Sequence, residues 1–140
     1  MAYTSDLKRA YETARIVFDG TRVPVIQDAR LRECDYGDMT RKPRSEAFEA
    51  RYNAVASPYP NGESYSQVVD RMKSFLDEVT LKHDDDKILI VGHFATLVGL
   101  EYWINGKSIQ DTFQMDYNNI EFPLQYNLHD LSAKRVRLFE

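Results

Sequence analysis

The stretch from Lys87 to His93 most constrains how this chain can fold. Residues 88–91 are four apolar residues in a row, three of them β-branched, and such a run is typical of a strand buried on both faces of a parallel sheet. Gly92 and His93 end the run, and an apolar helical pattern follows at residues 95–104. A strand, a tight turn and a helix deliver a side chain to the ligand crevice of an open parallel sheet, beside N–H groups that favour anions. His93 is therefore a candidate site residue, although an inert, hydrogen-bonded histidine explains this stretch alone equally well.

Upstream of this stretch, short strand patterns alternate with helical ones. Residues 1–4 and 23–26 are strand candidates, and an apolar helical stripe lies between them at residues 7–18. Ser64 and Gln67 have the spacing of a capping box that opens the clearest helix of the chain. Strands that alternate with helices favour an α/β fold with a mainly parallel sheet.

The C-terminal part has a different pattern. Residues 119–128 and 134–139 are predicted to be two strands joined by a polar turn, which is consistent with an antiparallel hairpin. The length of 140 residues is typical of one domain with its own core. We therefore expect a single α/β domain over residues 1–140 with a mainly parallel sheet and a C-terminal hairpin.

Composition excludes several classes of function. The formal net charge is −4, so no global positive field recruits nucleic acid, and the short basic cluster at residues 41–44 is typical of a solvated loop. Cys34 is the only cysteine, which excludes an internal disulfide and a cysteine zinc site and is typical of a reducing compartment. No run of about 18 apolar residues and no signal-peptide pattern occur in the sequence. We expect a cytoplasmic protein that does not bind membranes.

Three polar residues each follow the end of a separate predicted strand: Arg9, Glu33 and His93. The carboxyl ends of parallel strands share one edge of a sheet, so these side chains could meet in one crevice. Arginine and imidazole can hold a phosphate oxyanion, and a carboxyl can protonate the leaving oxygen of a phosphate ester. By its position alone Arg9 is more typical of a solvated surface arginine, whereas Glu33 is equally typical of an ion pair with an arginine.

Four short motifs follow one another along the chain: S-D-L-K-R-A-Y-E-T-A at 5–14, L-R-E at 31–33 with Y-G-D at 36–38, G-E-S at 62–64 with Arg71, and V-G-H at 91–93. In order and spacing they resemble the motifs of the histidine phosphatase superfamily, which includes the cofactor-dependent phosphoglycerate mutases. The resemblance covers nearly the whole chain. It implies a three-layer α/β sandwich.

The resemblance also implies a phosphohistidine mechanism for phosphomonoester hydrolysis or phosphoryl transfer. In the family, a first histidine within an R-H-G-like motif attacks phosphorus. Arg9 and His93 are implied to hold the phosphoryl oxygens, and Glu33 is the implied acid for the leaving group. No metal or other cofactor is implied, and the expected ligand is phosphate or a small phosphomonoester.

The departure from the family pattern is large. The residues before the three histidines are Lys82, Gly92 and Leu128, so no R-H-G motif is present. We expect a domain that is truncated at the N-terminus, lacks its first strand and helix, and is inactive alone. The missing strand would leave a gap in the sheet, which we expect a homodimer or a second chain to close. The alternative function is a non-catalytic phosphate-binding or oligomerisation module.

Overall fold

The computed structural model describes residues 1–83, 87–116, 119–121 and 123–128. Its strands form a three-stranded parallel sheet in the order β2-β1-β3. In chain order the elements are β1 (Ala2–Thr4), α1 (Lys8–Val17), β2 (Val25–Gln27), two 3-10 helices (Ala29–Leu31 and Gly37–Arg41), α2 (Arg44–Ala50), α3 (Tyr65–Lys82), β3 (Leu89–Val91), α4 (Phe94–Leu100) with a π-helical extension (Glu101–Asn105), and α5 (Ile109–Phe113). The predicted α/β class with a parallel sheet is confirmed.

The middle strand of the sheet is β1, not the strand that precedes His93. Tyr3 is in register with Ile26 on one side and Ile90 on the other, and all three residues of β1 are buried. Leu89 and its β3 neighbours are only half-buried, so the prediction of a strand buried on both faces is wrong. The physical reason is that β3 pairs with β1 alone among the described residues.

The helix α3 supplies most of the core. Seven of its residues are buried: Tyr65, Val68, Val69, Met72, Phe75, Leu76 and Val79. The predicted capping box is confirmed, because the Gln67 N–H donates to Ser64 Oγ at 3.2 Å and the Ser64 N–H donates to Gln67 Oε1 at 2.8 Å. Phe75 packs edge-to-face on Tyr3 of β1, with ring centroids 5.4 Å apart. On the sheet, α1 contacts all three strands and buries Ala10 and Ala14.

The helix α4 begins directly after His93 and packs against α3. Gly99 of α4 has no side chain, and a Cβ there would overlap Met72 of α3. The described helices include none that is long and apolar enough to cross a membrane.

The predicted C-terminal hairpin receives no support from the described residues. Residues 119–121 and 123–128, which belong to the first predicted strand, are not in a strand. The second predicted strand, at 134–139, lies outside the described residues.

Two glycines close the loop that follows Glu33 onto the turn that precedes α3. The Asp38 N–H donates to the Pro60 carbonyl at 3.0 Å. A Cβ on Gly37 would overlap that same carbonyl oxygen, and a Cβ on Gly62 would overlap the Asp35 carbonyl oxygen. Gly37 also has a φ of +50°, which L-residues with side chains adopt at a cost. The contact therefore requires glycine for space as well as for conformation.

We expect Gly37→Ala to lower the free energy of unfolding by about 2–4 kcal/mol, because overlap with backbone adds to the cost of positive φ. Gly20→Ala is the matched control, since Gly20 has a φ of +69° but nothing near its Cβ position. It should cost only about 1 kcal/mol. Urea denaturation of both variants measures the difference. Equal losses would show that the close approach contributes nothing.

Candidate active site

Two of the residues predicted from sequence, Arg9 and Glu33, line one cleft of about 490 Å³. Arg9 is an exposed residue in the first turn of α1, and Glu33 lies half-buried in the loop after β2. Tyr36, Tyr65 and Phe94 form the aromatic part of the same wall. The structure thus places two of the three predicted residues, the arginine and the carboxyl, on one cleft, whereas His93 is not among the described residues that line it.

The Glu33 carboxylate is held by the start of α4. Its Oε1 accepts hydrogen bonds from the Cys34 N–H at 3.0 Å and from the Ala95 N–H at 3.0 Å. Ala95 is the second residue of α4, so one donor is an N–H group of the helix N-terminus, where negative charge is favoured. The other oxygen, Oε2, accepts no hydrogen bond from the described residues. Oε2 is therefore the carboxylate oxygen that these contacts leave without a donor.

The turn between β3 and α4 fixes His93. The His93 N–H donates to Thr96 Oγ1 at 3.0 Å, and that hydroxyl donates to the Leu31 carbonyl at 3.0 Å. A Cβ on Gly92 would overlap the Thr96 side chain, so this turn requires glycine before His93. These bonds join the histidine turn to the loop that carries Glu33.

The His93 ring is buried at Nε2, and this nitrogen has no hydrogen-bond partner among the described residues. Burial, together with the positive charges of Arg9 and Arg71, lowers the pKa of His93 to about 4. The ring is therefore neutral at pH 7. An anion beside it would offset the two arginines and favour the imidazolium.

Arg71 and Glu63 have a structural role in the site. The Arg71 Nε donates to Glu63 Oε1 at 2.8 Å and Nη2 donates to Oε2 at 3.0 Å, while Nη1 donates to the Arg30 carbonyl at 2.6 Å and Nη2 to the Glu33 carbonyl at 3.3 Å. One guanidinium on α3 thus holds the backbone of the Glu33 loop and the G-E-S turn in a fixed relation.

Other cleft residues were missed from the sequence. The second wall comes from residues 39–51 and includes Lys42, Arg44, Phe48 and Arg51. Lys42 and Arg44 belong to the basic cluster that was assigned to a solvated loop; both are exposed, and both also line the cleft. Arg51 is buried, and no sequence pattern distinguishes it from an exposed helix-end arginine.

Tyr36 and Tyr65 contribute neutral hydroxyl groups to the cleft, with their oxygens 3.5 Å apart. Burial, together with the charge of Glu33, raises the pKa of Tyr36 to about 12. Burial also raises the pKa of Tyr65. Among the described residues, no group of three or more His, Cys, Asp and Glu side chains could hold a metal ion.

Comparison with known families identifies this arrangement. The model of the histidine phosphatase superfamily (branch 1) matches residues 1–124. The chain belongs to this superfamily. It is 32% identical over 123 residues to the uncharacterized phosphatase PhoE of Bacillus subtilis, covering 85% of the chain and 62% of the relative. It is 30% identical over 125 residues to the putative phosphoserine phosphatase 2 of Hydrogenobacter thermophilus, covering 84% and 61%. The chain thus spans about three fifths of the length of these relatives.

Solved structures share the fold. Bacillus stearothermophilus YhfR is similar with a TM-score of 0.70 and 28% identity, over 83% of this chain and 61% of that one. The mycobacterial glucosyl-3-phosphoglycerate phosphatase Rv2419c, solved with inorganic phosphate, shares the fold with a TM-score of 0.70 and 22% identity, over 83% and 63%.

The lowered pKa of His93 makes stability depend on pH. An unfolded chain protonates this histidine below about pH 6.5, whereas the folded ring stays neutral down to about 4. The unfolded state therefore binds more protons in this window, and stability falls as the pH falls. From pH 7.5 to pH 5 we expect a loss of about 1–2 kcal/mol from this group, after allowance for its partial exposure to solvent.

His93→Gln should remove this part of the pH dependence, which urea denaturation at the two pH values measures. NMR titration of the His93 ring in wild type gives the pKa directly. A His93 pKa near 6.5, or the same pH slope in both proteins, would contradict the assignment.

Proposed function

We propose that this chain contributes to a phosphatase or phosphoryl-transfer site that acts on a small phosphomonoester through a phosphohistidine. The observation that supports this most is the shared cleft of Arg9 and Glu33. His93 directly precedes the cleft residue Phe94, and the positive charge of Arg9 acts on its ring. PhoE and the putative phosphoserine phosphatase 2 carry phosphatase names.

The proposed roles follow from the charges. Arg9 and His93 hold the phosphoryl oxygens, and the bound dianion gives His93 a reason to take up a proton that the two arginines otherwise oppose. Glu33 is the acid: as the bond between phosphorus and the ester oxygen breaks, Oε2 gives its proton to the leaving oxygen. Its Oε1 stays bound to the Cys34 and Ala95 N–H groups throughout.

The nucleophile of the family mechanism is not identified among these 140 residues. No histidine in the sequence follows an arginine. We infer that His93 holds the transferred group and that an R-H-G segment, from outside the 140 residues, supplies the attacking nitrogen. No metal or other cofactor enters this scheme.

A second candidate function is a non-catalytic phosphate-binding or oligomerisation module. The half-buried side chains of β3, which pairs with β1 alone among the described residues, favour it. Under either function we infer that another strand pairs with β3, from a second copy in a homodimer or from a chain that carries the R-H-G segment. Sedimentation at micromolar concentration tests the homodimer.

We also infer a single three-layer domain over residues 1–140, lacking the family's first strand and helix and ending in a C-terminal hairpin. Contacts of α1 with all three strands and of α3 with β1 through Tyr3 and Phe75 support the layers. A buried, free Cys34, whose thiol pKa is raised by burial, is consistent with a reducing cytoplasm.

Inorganic phosphate should bind to the 140-residue chain at Arg9 and His93 with a dissociation constant on the order of mM, which corresponds to about 4 kcal/mol. Binding should raise the pKa of the His93 ring, because the anion opposes the positive field of the two arginines. NMR titration of the histidine ring measures both. Arg9→Ala should abolish binding, and Arg15→Ala, on the same helix but outside the cleft, should preserve it. A His93 signal insensitive to high phosphate would refute this site.

The 140 residues alone should hydrolyse p-nitrophenyl phosphate at background rate, because the nucleophile is absent. Addition of a peptide that carries an R-H-G strand from a relative should give turnover that depends on the histidine of the peptide. Robust hydrolysis by the pure chain that disappears in His93→Ala would instead make His93 the nucleophile.

A further inference from the structure

Arg51 is a buried cation that the described part of the chain leaves without a carboxylate partner. The residue is only 2% exposed to solvent. The Nη2 atom donates to the Phe113 carbonyl at 2.6 Å, and Nε has no acceptor in the described part of the chain. A buried charge and an unmade hydrogen bond are both costly, so this guanidinium needs an explanation beyond its bond to one carbonyl.

Aromatic rings enclose this guanidinium. Its Cζ lies 3.3 Å from the ring centroid of Phe48 and 4.6 Å from that of Phe113. Cation–π attraction offsets part of the loss of hydration, but it supplies no acceptor for Nε. Phe48 is itself 49% exposed, so the ring nearest to the cation is half-exposed.

The cleft as a whole carries an excess of positive charge. Four cations line it, Arg9, Lys42, Arg44 and Arg51, against the one carboxylate of Glu33. The formal net charge of the chain is −4, so the excess is a local property of the cleft. Arg9 is assigned to the phosphoryl group, which leaves the three cations of the 39–51 wall without a substrate group to bind.

We propose that Arg51 is a specificity-determining residue that binds a second anionic group, on the alcohol part of the phosphomonoester. This deepens the proposed function and rests on it. The planar guanidinium offers its free N–H donor to the anion while Nη2 stays on Phe113, and the flat face of Phe48 packs against the apolar body of the substrate. Lys42 and Arg44 add positive potential at the same wall.

Three probes on the same aromatic ring test this in the 140-residue chain: phenyl phosphate, 4-carboxyphenyl phosphate and benzoate, each titrated by NMR. 4-Carboxyphenyl phosphate should bind wild type at least about tenfold more tightly than phenyl phosphate, because one charge-assisted hydrogen bond is added. Arg51→Met should reduce this ratio to below about twofold, because the charge-assisted hydrogen bond to the carboxylate is lost.

Two further variants make the result specific. Arg41→Met removes the same charge from a residue that does not line the cleft and should keep the full ratio. Arg51→Lys keeps the charge but loses the planar guanidinium, and should retain part of the affinity ratio between the two phosphates. Should Arg51→Met fail to fold, the Arg51→Lys ratio and the wild-type ratio decide. Equal binding of the two phosphates to wild type, or a full ratio in a folded Arg51→Met chain, would overturn the assignment.

Benzoate separates this inference from the proposed function. Benzoate should shift the Phe48 resonances of wild type and not those of Arg51→Met, whether or not phosphate binds at Arg9. Binding of benzoate without any binding of phenyl phosphate would overturn the phosphate site and keep the anion site. Binding of phenyl phosphate without any effect of Arg51 would do the reverse, and no binding of either probe would overturn both.

Discussion

The bidentate ion pair between Arg71 and Glu63 is the interaction on which the rest of the site depends. The same guanidinium also holds the carbonyls of Arg30 and Glu33, so α3 is tied to the loop after β2. Both side chains are about one fifth exposed, which protects the pair from most solvent screening. The loop that carries Glu33 has little regular structure of its own, and this clamp replaces the rigidity that a strand or helix would give it.

Glu33 and His93 both lie at the N-terminus of α4, but their side chains differ in how far their hydrogen bonds are satisfied. The Glu33 carboxylate has two N–H donors on Oε1 and is already stabilised, whereas the buried Nε2 of His93 lacks a partner and faces two positive charges. A phosphoryl group would supply the negative charge that the histidine side of the cleft lacks. Such preorganised, unsatisfied polarity is typical of a binding site and unusual in a structural core.

Local sequence patterns predicted the main helices and the capping box of α3, because these depend on the periodicity and spacing of neighbouring residues. They also predicted the joint position of Arg9 and Glu33, which depends on the shared edge of a parallel sheet. They misjudged the burial of β3 and did not place β1 in the middle of the sheet, since a three-residue strand such as Ala2–Thr4 carries too little pattern to reveal its position. They also missed Arg51. Its burial depends on Phe113, which is 62 residues away along the chain, and no local pattern reports a contact of that range.

The close contact of Gly37 with the Pro60–Gly62 turn fixes the two ends of the intervening segment relative to each other. The helix α2 within it buries none of its residues, so its length and composition can change with little effect on the core, since loop entropy grows slowly with length. Glu33 and the G-E-S turn lie outside this segment, whereas Lys42, Arg44 and Phe48 lie within it. An exchange of residues 41–50 between relatives should therefore change the Lys42–Phe48 wall of the cleft and leave Arg9 and Glu33 in place.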